Sequence, residues 1–328
     1  MTIDYSKMTY KAAGNTGLQL PQLAYGLWHN FGDDADYAQM TKLLTTALDA
    51  GITYFDLANN YGPKPGAAER HFGEILKGEF ANHRDELLIS TKAGYEMWDG
   101  PYGNWGSRKH LMASLDQSLR RLQLDYVDIF YHHRMDPNTP LEETMQTLAD
   151  IVHQGKALYV GLSNYDGPTL QRATALLAEY RVPVLVNQNR YSLLDRKIEE
   201  NGLKAAVTDL QQGLVVFSPL AQGLLTNRYL DGIPVDSRIK TDGRFLKAAT
   251  LSETHVAILR QLNDFALAAG YSLAELALKW LLQQPSVTSV LIGASKPEQI
   301  LENVATLTLP DLTAGQLLEI EAILSGWM

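Results

Sequence analysis

Four polar side chains stand at or just after the ends of short apolar runs: Asp56, Tyr61, Lys92 and His133. Gathered at one place, an acid, a phenol, a lysine and a histidine would form a proton-transfer site. The ammonium of Lys92 favours phenolate and so lowers the pKa of Tyr61 from its usual value of about 10. Asp56 would keep the lysine charged. With His133 positioned to orient or polarise a carbonyl, the set predicts aldehyde reduction, in which hydride and a proton arrive from opposite sides.

Each of these residues also fits a plain structural role when it is taken singly. Asp56 suits a turn cap, Tyr61 packing, and Lys92 a surface ion pair. Adjacent His132 and His133 point to opposite faces of a strand, which argues against both binding one metal, and we predict no metal site. A Schiff-base lysine at position 92, as in class I aldolases, stays open as an alternative chemistry.

Alternating strands and helices must position these side chains. The predicted strands are Leu23–Leu27, Thr53–Phe55, Leu87–Thr91, Val127–His132, Leu158–Leu162, Val184–Asn187, Leu214–Phe217 and Ser289–Ile292. Between and after them, apolar residues three and four apart predict helices over Met40–Ala50, Arg108–Arg121, Leu141–His153, Pro168–Tyr180, Glu253–Ala269, Ser272–Gln283, Pro297–Leu307 and Thr313–Leu324.

This alternation predicts an α/β fold, a single (β/α)8 TIM barrel domain over residues 1–328. Extra helices precede the last strand and end the chain, and an N-terminal β-hairpin near Tyr10–Leu20 lies across one end of the barrel. An open doubly wound sheet competes, but it usually carries G-x-G-x-x-G after its first strand, and this chain has no such fingerprint there.

Composition narrows the class of protein. The chain has 37 acidic and 28 basic residues, a net charge of −9 and no long basic run, which argues against a nucleic-acid partner. It has no cysteine, which excludes disulfides, cysteine nucleophiles and thiolate metal sites and fits a reducing compartment. Neither a signal-peptide core nor a run of about 18 apolar residues occurs. We therefore expect a cytoplasmic protein with no membrane partner.

The stretches around the polar residues resemble the aldo-keto reductase family. Asp56–Gly62 looks like its D-x-A-x-x-Y-G element, and the similarity continues through "LLISTKAGY", "DYVDIFYHHRMD", "YVGLSNYD", "VNQNRYSLL", "VVFSPLAQGLLTNRY" and "VLIGASKPEQILENV". The chain looks most like the branch of potassium-channel β subunits and their bacterial relatives, and within it like bacterial L-glyceraldehyde 3-phosphate reductases. Channel β subunits carry asparagine where this chain has His133, which favours an enzyme over a channel partner.

The resemblance implies an NADPH/NADP cofactor extended across the barrel mouth without a Rossmann domain. Matching positions that would contact it are Trp28, Asp56, Ser163, Asn164, Gln188, Phe217, Ser218, Leu220, Gly223, Arg228, Arg238, Gly293, Ser295, Lys296, Gln299, Glu302 and Asn303. By similarity, Phe217 stacks on the nicotinamide. A helix beginning near Pro297 attracts anions at its N-terminus, and Lys296 adds a cation there, which favours NADPH over NADH.

The long loop "GYEMWDGPYGNWGSR" is rich in aromatic residues and glycine, as substrate-binding loops often are. Side chains expected to contact a short aldehyde are Trp28, Tyr61, Trp98, Tyr102 and His133. The resemblance points to L-glyceraldehyde 3-phosphate or methylglyoxal as substrate and to a homo-oligomer. For Arg108 and Arg134, surface pairing is favoured over contact with a substrate phosphate.

The sequence leaves a second function open, that of a redox-sensing binding subunit that holds NADPH and turns over slowly.

Overall fold

Eight parallel strands close into a barrel in the computed structural model, which describes residues 3–62, 64–234, 237–241 and 246–327. A short antiparallel hairpin, β1 (Tyr10–Ala12) and β2 (Gln19–Pro21), precedes them. The barrel strands are β3 (Leu23–Gly26), β4 (Tyr54–Asp56), β5 (Leu88–Ala93), β6 (Val127–His132), β7 (Ala157–Ser163), β8 (Val184–Arg190), β9 (Gly213–Phe217) and β10 (Ser289–Ile292). Neighbours in the sequence are neighbours in the barrel, and β10 pairs with β3 to close it.

The predicted (β/α)8 barrel with an N-terminal hairpin is therefore confirmed, and the predicted strands lie close to the observed ones. The helices are α1 (Tyr37–Asp49), α2 (Ala67–Lys77), α3 (Arg108–Leu122), α4 (Leu141–His153), α5 (Gly167–Glu179), α6 (Lys197–Glu200), α7 (Leu203–Asp209), α8 (Arg238–Thr241), α9 (Glu253–Ala268), α10 (Leu273–Leu282), α11 (Pro297–Ala305) and α12 (Ala314–Leu324).

Capping explains which helices the sequence predicts well and which it does not. Ser107 and Ser252 accept backbone hydrogen bonds at the starts of α3 and α9, and Ser272 forms a capping box at α10. By contrast, α2 begins after Gly66, which has a φ of 92° and no capping side chain. The sequence therefore gives no capping side chain for the start of α2, a helix that the alternation of strands and helices requires but whose bounds are not predicted.

The barrel interior holds its own hydrophobic cluster below the mouth. Tyr54 and Tyr131 are fully buried in it, and their hydroxyl oxygens lie 2.8 Å apart. Leu20 of the hairpin joins this cluster. Gly161 of β7 leaves room for the Tyr131 ring, because a Cβ there would lie 2.3 Å from a ring carbon. These packed rings form the floor on which the polar side chains of the mouth stand.

A buried ion pair fixes α2 to its neighbours. The carboxylate of Glu69, which is fully buried, accepts hydrogen bonds from the Arg121 Nε of α3 at 2.7 Å and from the hydroxyl of Thr91 in β5. The backbone N–H of Ala68 donates to the carbonyl of Tyr61 at 3.3 Å. The first turn of α2 therefore holds the loop that carries Tyr61.

No single helix of the described ranges is long and apolar enough to cross a membrane. Helices α9 and α10 pass that test of length and composition only when they are taken together, and the chain bends by 81° between them.

We expect Gly73→Ala to destabilise the protein, because a Cβ at this position of α2 would lie 2.3 Å from the Arg121 carbonyl oxygen of α3. Forced overpacking of this kind costs about 1–3 kcal/mol of unfolding free energy. Gly315 in α12 is the matched control, because it is exposed and its nearest neighbour would lie 4.0 Å from a Cβ. Gly315→Ala should leave stability unchanged or raise it by up to about 1 kcal/mol. Urea unfolding of both variants measures the difference, and equal midpoints would contradict the close approach.

Candidate active site

The carboxyl ends of β4, β5 and β6 bring the four polar residues to one side of the barrel mouth. Asp56 is the last residue of β4, Lys92 is the last but one of β5, and His133 directly follows β6. Tyr61 lies on the loop between β4 and α2. Because active sites of this fold lie at the carboxyl ends of the strands, these residues occupy the expected place for chemistry.

A buried ion pair between Asp56 and Lys92 forms the centre of the site. The Lys92 Nζ donates to Asp56 Oδ2 at 2.6 Å and to the Leu57 carbonyl at 2.7 Å, and both charged side chains are buried. Losing one partner would leave a buried charge uncompensated, which typically costs about 3–5 kcal/mol. The pair therefore fixes the position of the ammonium group.

The other oxygen of Asp56 collects donors from across the barrel. Ser90 Oγ of β5 donates to Asp56 Oδ1 at 2.7 Å, and Gln188 Nε2 of β8 donates to it at 2.9 Å. The Tyr54 hydroxyl lies 3.5 Å from the same atom. Side chains of three different strands therefore hold the carboxylate, and its orientation does not depend on Lys92 alone.

Tyr61 lies beside the ammonium and the histidine. The Lys92 Nζ is 5.1 Å from the centroid of the Tyr61 ring. The Tyr61 and His133 ring centroids are 5.9 Å apart in an edge-to-face arrangement, and the ring of Trp28 lies at 6.5 Å. The structure thus brings all four residues into one cluster.

The expected lowering of the Tyr61 pKa is wrong in direction. Burial of the phenol, followed by the charge of Asp56, raises the pKa of Tyr61 well above its ordinary value. Burial also lowers the pKa of Lys92, although the charge of Asp56 opposes that change. Removing the phenol from water outweighs the attraction of one ammonium because the charged form loses most of its hydration. Tyr61 is accordingly held in its protonated form, which can donate a proton.

The two adjacent histidines face different surroundings, as the alternation of a strand predicts. His133 lies among the mouth residues, where its ring contacts Tyr95 edge to face at 4.6 Å. His132 points the other way, with its Nδ1 2.7 Å from the Tyr165 hydroxyl. Only His133 therefore has a position for chemistry in the barrel mouth.

Burial keeps the imidazole of His133 neutral. It lowers the pKa of His133 well below the ordinary value, and the nearby charge of Lys92 lowers it further. Within the described ranges, no side chain or backbone group forms a hydrogen bond with its buried Nδ1. A neutral imidazole has one N–H donor and one acceptor nitrogen, so it suits the orientation of a polar ligand.

Of the predicted carboxamide-binding residues, Ser163 ends β7, Asn164 directly follows it, and Gln188 lies within β8. Asn164 has a φ of 58° and donates through Nδ2 to the His133 carbonyl at 2.9 Å and to Ser163 Oγ at 3.1 Å. Gln188 is buried, with its Nε2 on Asp56. A left-handed, non-glycine backbone at a strand end is typical of ligand-binding positions.

The loop after β9 has the same character over a longer stretch. Ser218 and Gln222 have φ values of 57° and 60°, and Gly223 has a φ of 98°. Leu220 is half-buried, and Arg228 is exposed in a short 3-10 helix farther along. The side chain of Arg238 lies outside what the structure describes. A cavity of about 160 Å³ adjoins the loop and is lined in part by Ser218 and Gln222.

The N-terminus of α11 presents the groups expected to surround a phosphate. Gly293, Ser295 and Lys296 are exposed before the helix, and Glu302 is exposed within it, whereas Asn303 is buried. The Gln299 Oε1 accepts the backbone N–H of Ser295 at 2.9 Å and that of Lys296 at 3.3 Å.

These segments fit a dinucleotide in their chemistry. They offer the Phe217 ring at the end of β9, a strained loop after it, and the Lys296 cation at the start of the nine-residue helix α11.

The aromatic loop after β5 places Trp98 and Tyr102, two of the expected substrate contacts, beside α3, and their contact with a substrate stays a prediction. Trp98 contacts the His110 ring of α3 at 5.1 Å, and the ammonium of Lys109 lies 5.3 Å from the centroid of Tyr102, which is exposed. The aromatic side chain of this loop that contacts His133 is Tyr95. It stands in the loop singled out from its composition, but only the packing distinguishes it from its neighbours.

The two arginines near this loop, Arg108 and Arg134, have different surroundings. Arg108 forms an exposed ion pair with Asp150, in agreement with its predicted surface role. The guanidinium of Arg134 instead lies over the rings of Tyr95 and Trp105 beside the site. Surface pairing is therefore wrong for Arg134. The position of Arg134 directly after His133 was the only feature of the sequence that indicated a place beside the site.

Comparisons with known proteins identify a matching family and similar chains. Residues 22–325 match the family described as "Aldo/keto reductase family". The chain is 51% identical over 320 residues to L-glyceraldehyde 3-phosphate reductase of Escherichia coli (strain K12), covering 97% of this chain and 92% of the relative. It is 35% identical over 325 residues to a probable voltage-gated potassium channel subunit beta of Oryza sativa subsp. japonica, covering 97% of each chain.

The buried histidine of β6 should make stability depend on pH. Burial lowers the pKa of His132 to about 4, whereas an unfolded histidine titrates near 6.5. Between these values the unfolded chain binds a proton that the folded chain does not, so stability is full above pH ~6.5 and is lost as the pH falls toward ~4. His132 alone should contribute a loss of about 3 kcal/mol over that window.

Urea unfolding between pH 7.5 and 4 measures this loss. His132→Gln should reduce the loss without abolishing it, because His133 contributes in the same direction. His153→Gln, which replaces an exposed histidine of α4, is the control and should follow the wild type. Identical pH profiles for the wild type and His132→Gln would show that His132 does not titrate as its burial requires.

Proposed function

Because the chain belongs to the aldo/keto reductase family, we propose that it reduces short-chain aldehydes to alcohols with NADPH. The observation that carries the proposal is the cluster in the barrel mouth. The centroid of the protonated Tyr61 ring lies 5.1 Å from the Lys92 Nζ and 5.9 Å from the centroid of the neutral His133 ring. This cluster offers a proton donor and a carbonyl-orienting group side by side.

Tyr61 is the general acid in this proposal. Its raised pKa keeps the proton on the phenol at neutral pH. As the carbonyl oxygen gains negative charge, it becomes a stronger base than phenolate and takes the proton from the phenol. The ammonium of Lys92, fixed by Asp56 and the Leu57 carbonyl, stabilises the phenolate that remains.

His133 orients the substrate. Its neutral ring contacts the ring of Tyr61 edge to face, so a carbonyl oxygen that accepts from an imidazole N–H would lie near the phenol. The ring needs no proton of its own for this task. Orientation of this kind contributes to catalysis because it replaces an encounter between separate groups by a fixed geometry.

NADPH, when bound, supplies the hydride that the carbonyl carbon receives. The residues that would hold it lie at the ends of β7 to β10: Ser163, Asn164 and Gln188 at the carboxamide, Phe217 against the nicotinamide, the Ser218–Gly223 loop at the pyrophosphate, and the start of α11 at the 2′-phosphate. The positive end of α11 and the Lys296 side chain favour a phosphate there. This is the support for NADPH over NADH.

The substrate class follows from the relatives. Because the chain is 51% identical to a protein named L-glyceraldehyde 3-phosphate reductase, we propose L-glyceraldehyde 3-phosphate as the substrate, with methylglyoxal as a smaller alternative. The cytoplasmic location and the homo-oligomer stay predictions.

A slow, NADPH-holding sensor is the second candidate function, and the similarity to a probable potassium channel β subunit favours it. Negligible hydride transfer to every tested aldehyde would support this candidate, whereas sustained steady-state turnover with short aldehydes would exclude it. The Schiff-base reading of Lys92 fits the structure less well. Its Nζ is buried and makes two hydrogen bonds, one of them to a carboxylate that favours the charged form, which is not nucleophilic.

Tyr61→Phe tests the assigned acid. We expect kcat for aldehyde reduction to fall by about 10²–10⁴-fold, the usual contribution of a positioned acid, while the Kd for NADPH changes little. Stopped-flow absorbance and fluorescence titration measure the two quantities. Tyr37→Phe, an exposed tyrosine of α1, is the control and should match the wild type. Turnover that survives in Tyr61→Phe would refute the acid role.

Lys296→Met tests the cofactor preference. Loss of an exposed cation should raise the Kd for NADPH about fivefold and leave the Kd for NADH nearly unchanged. Lys77→Met, at the end of α2, controls for the overall loss of one positive charge. If both cofactors weaken equally, Lys296 does not read the 2′-phosphate.

A further inference from the structure

We propose that Arg134 binds the phosphate of the substrate, so that the site selects phosphorylated short aldehydes over uncharged ones. This inference rests on the proposed aldehyde reduction and assigns the far end of the substrate to one side chain. Arg134 directly follows His133 at the end of β6, and its side chain is half-buried.

The guanidinium of Arg134 is fixed in place by the loop after β5. Its Nε donates to the Gly94 carbonyl at 3.0 Å, and its Nη2 donates to Asn104 Oδ1 at 2.9 Å. The guanidinium carbon lies 3.7 Å from the centroid of the Trp105 ring and 4.2 Å from that of Tyr95. An arginine bound at its edge and stacked on aromatic rings loses little further entropy when a ligand binds.

The hydrogen-bond partners of this guanidinium do not neutralise its charge. Both hydrogen-bond acceptors, the Gly94 carbonyl and the Asn104 side-chain carbonyl, are neutral. They occupy two of the five N–H donors of a guanidinium, so donors are left for a bidentate contact with a phosphate. Arg108 differs in this respect, because its guanidinium pairs with the carboxylate of Asp150.

Asp136 is the acid whose charge acts on Arg134, and it is bound elsewhere. Its Oδ2 accepts the backbone N–H of Gly106 at 2.8 Å, and its Oδ1 accepts that of Asn138 at 2.7 Å. Across the described ranges, no carboxylate lies within ion-pair distance of the Arg134 guanidinium. Although the chain has a net charge of −9, this fixed cation gives the reaction site a local positive charge that suits an anionic group.

Ring contacts connect Arg134 to the reacting groups. The Tyr95 ring links the two ends of the site, because it contacts His133 at 4.6 Å and the Arg134 guanidinium at 4.2 Å. His133 in turn contacts Tyr61 at 5.9 Å. An aldehyde whose carbonyl lies at Tyr61 and His133 would therefore extend along Tyr95 toward Arg134, where a terminal phosphate meets the guanidinium.

The test compares glyceraldehyde 3-phosphate with glyceraldehyde, which lacks only the phosphate. In Arg134→Gln, the ratio of kcat/KM for the phosphorylated to the unphosphorylated aldehyde should fall about 10- to 100-fold, because hydrogen bonds between charged groups are lost. Arg134→Lys should give an intermediate ratio, since it keeps the charge without the fork. Arg108→Gln is the matched control and should keep the wild-type ratio. A ratio that is unchanged in Arg134→Gln, even if both rates fall, would mean that Arg134 only supports the loop, and the proposal would be wrong.

A binding measurement separates this inference from the proposed function. Calorimetry with glycerol 3-phosphate, the alcohol expected from the phosphorylated aldehyde, needs no turnover. The wild type should bind it, and Arg134→Gln should bind it about 10- to 100-fold more weakly. Equal affinities in the two proteins would overturn the phosphate site. If the wild type reduces neither aldehyde, the proposed function fails, whereas reduction of both without a loss of selectivity in Arg134→Gln removes only the role of Arg134.

Discussion

The buried ion pair between Asp56 and Lys92 is the constraint on which the rest of the site depends. Two charges taken out of water are tolerated only where hydrogen bonds satisfy them on all sides. Here Ser90, Gln188 and the Leu57 carbonyl complete the pair, so three strands of the barrel must stand in register for it to exist. The closed barrel supplies that register, because neighbouring strands fix which residues lie side by side at the mouth.

Burial, rather than any single charge, sets the protonation states around this pair. It raises the pKa of Tyr61, lowers that of Lys92, and lowers that of His133. The consequences differ because an acid and a base lose different charged forms when they leave water. A protonated phenol and a neutral imidazole result, which together offer a donor and an orienting group without a further charge beside the substrate.

In the proposed function, the two sides of the barrel mouth have separate tasks. The loops after β5 and β6 carry aromatic rings and Arg134, which suit a small anionic substrate. On the opposite side of the closed barrel, the strained loop after β9 and the start of α11 suit a long, phosphorylated cofactor. Helix α2, anchored by Glu69, holds the loop of Tyr61 between them.

The sequence alone determined the barrel and pointed to its candidate reactive groups, because strand periodicity and strand ends are local patterns. It placed Asp56, Lys92 and His133 at three successive strand ends, and it separated His132 from His133 by alternation. Only the tertiary structure decided the direction of the Tyr61 pKa, the contact of Gln188 with Asp56 and the stacking of Arg134, since each depends on groups far apart in the chain. It also decided where α2 begins, since the first turn of this helix has no capping side chain and is held by Glu69 and Arg121. Solvent exclusion and long-range contact are properties of packing, and no short stretch of residues encodes them.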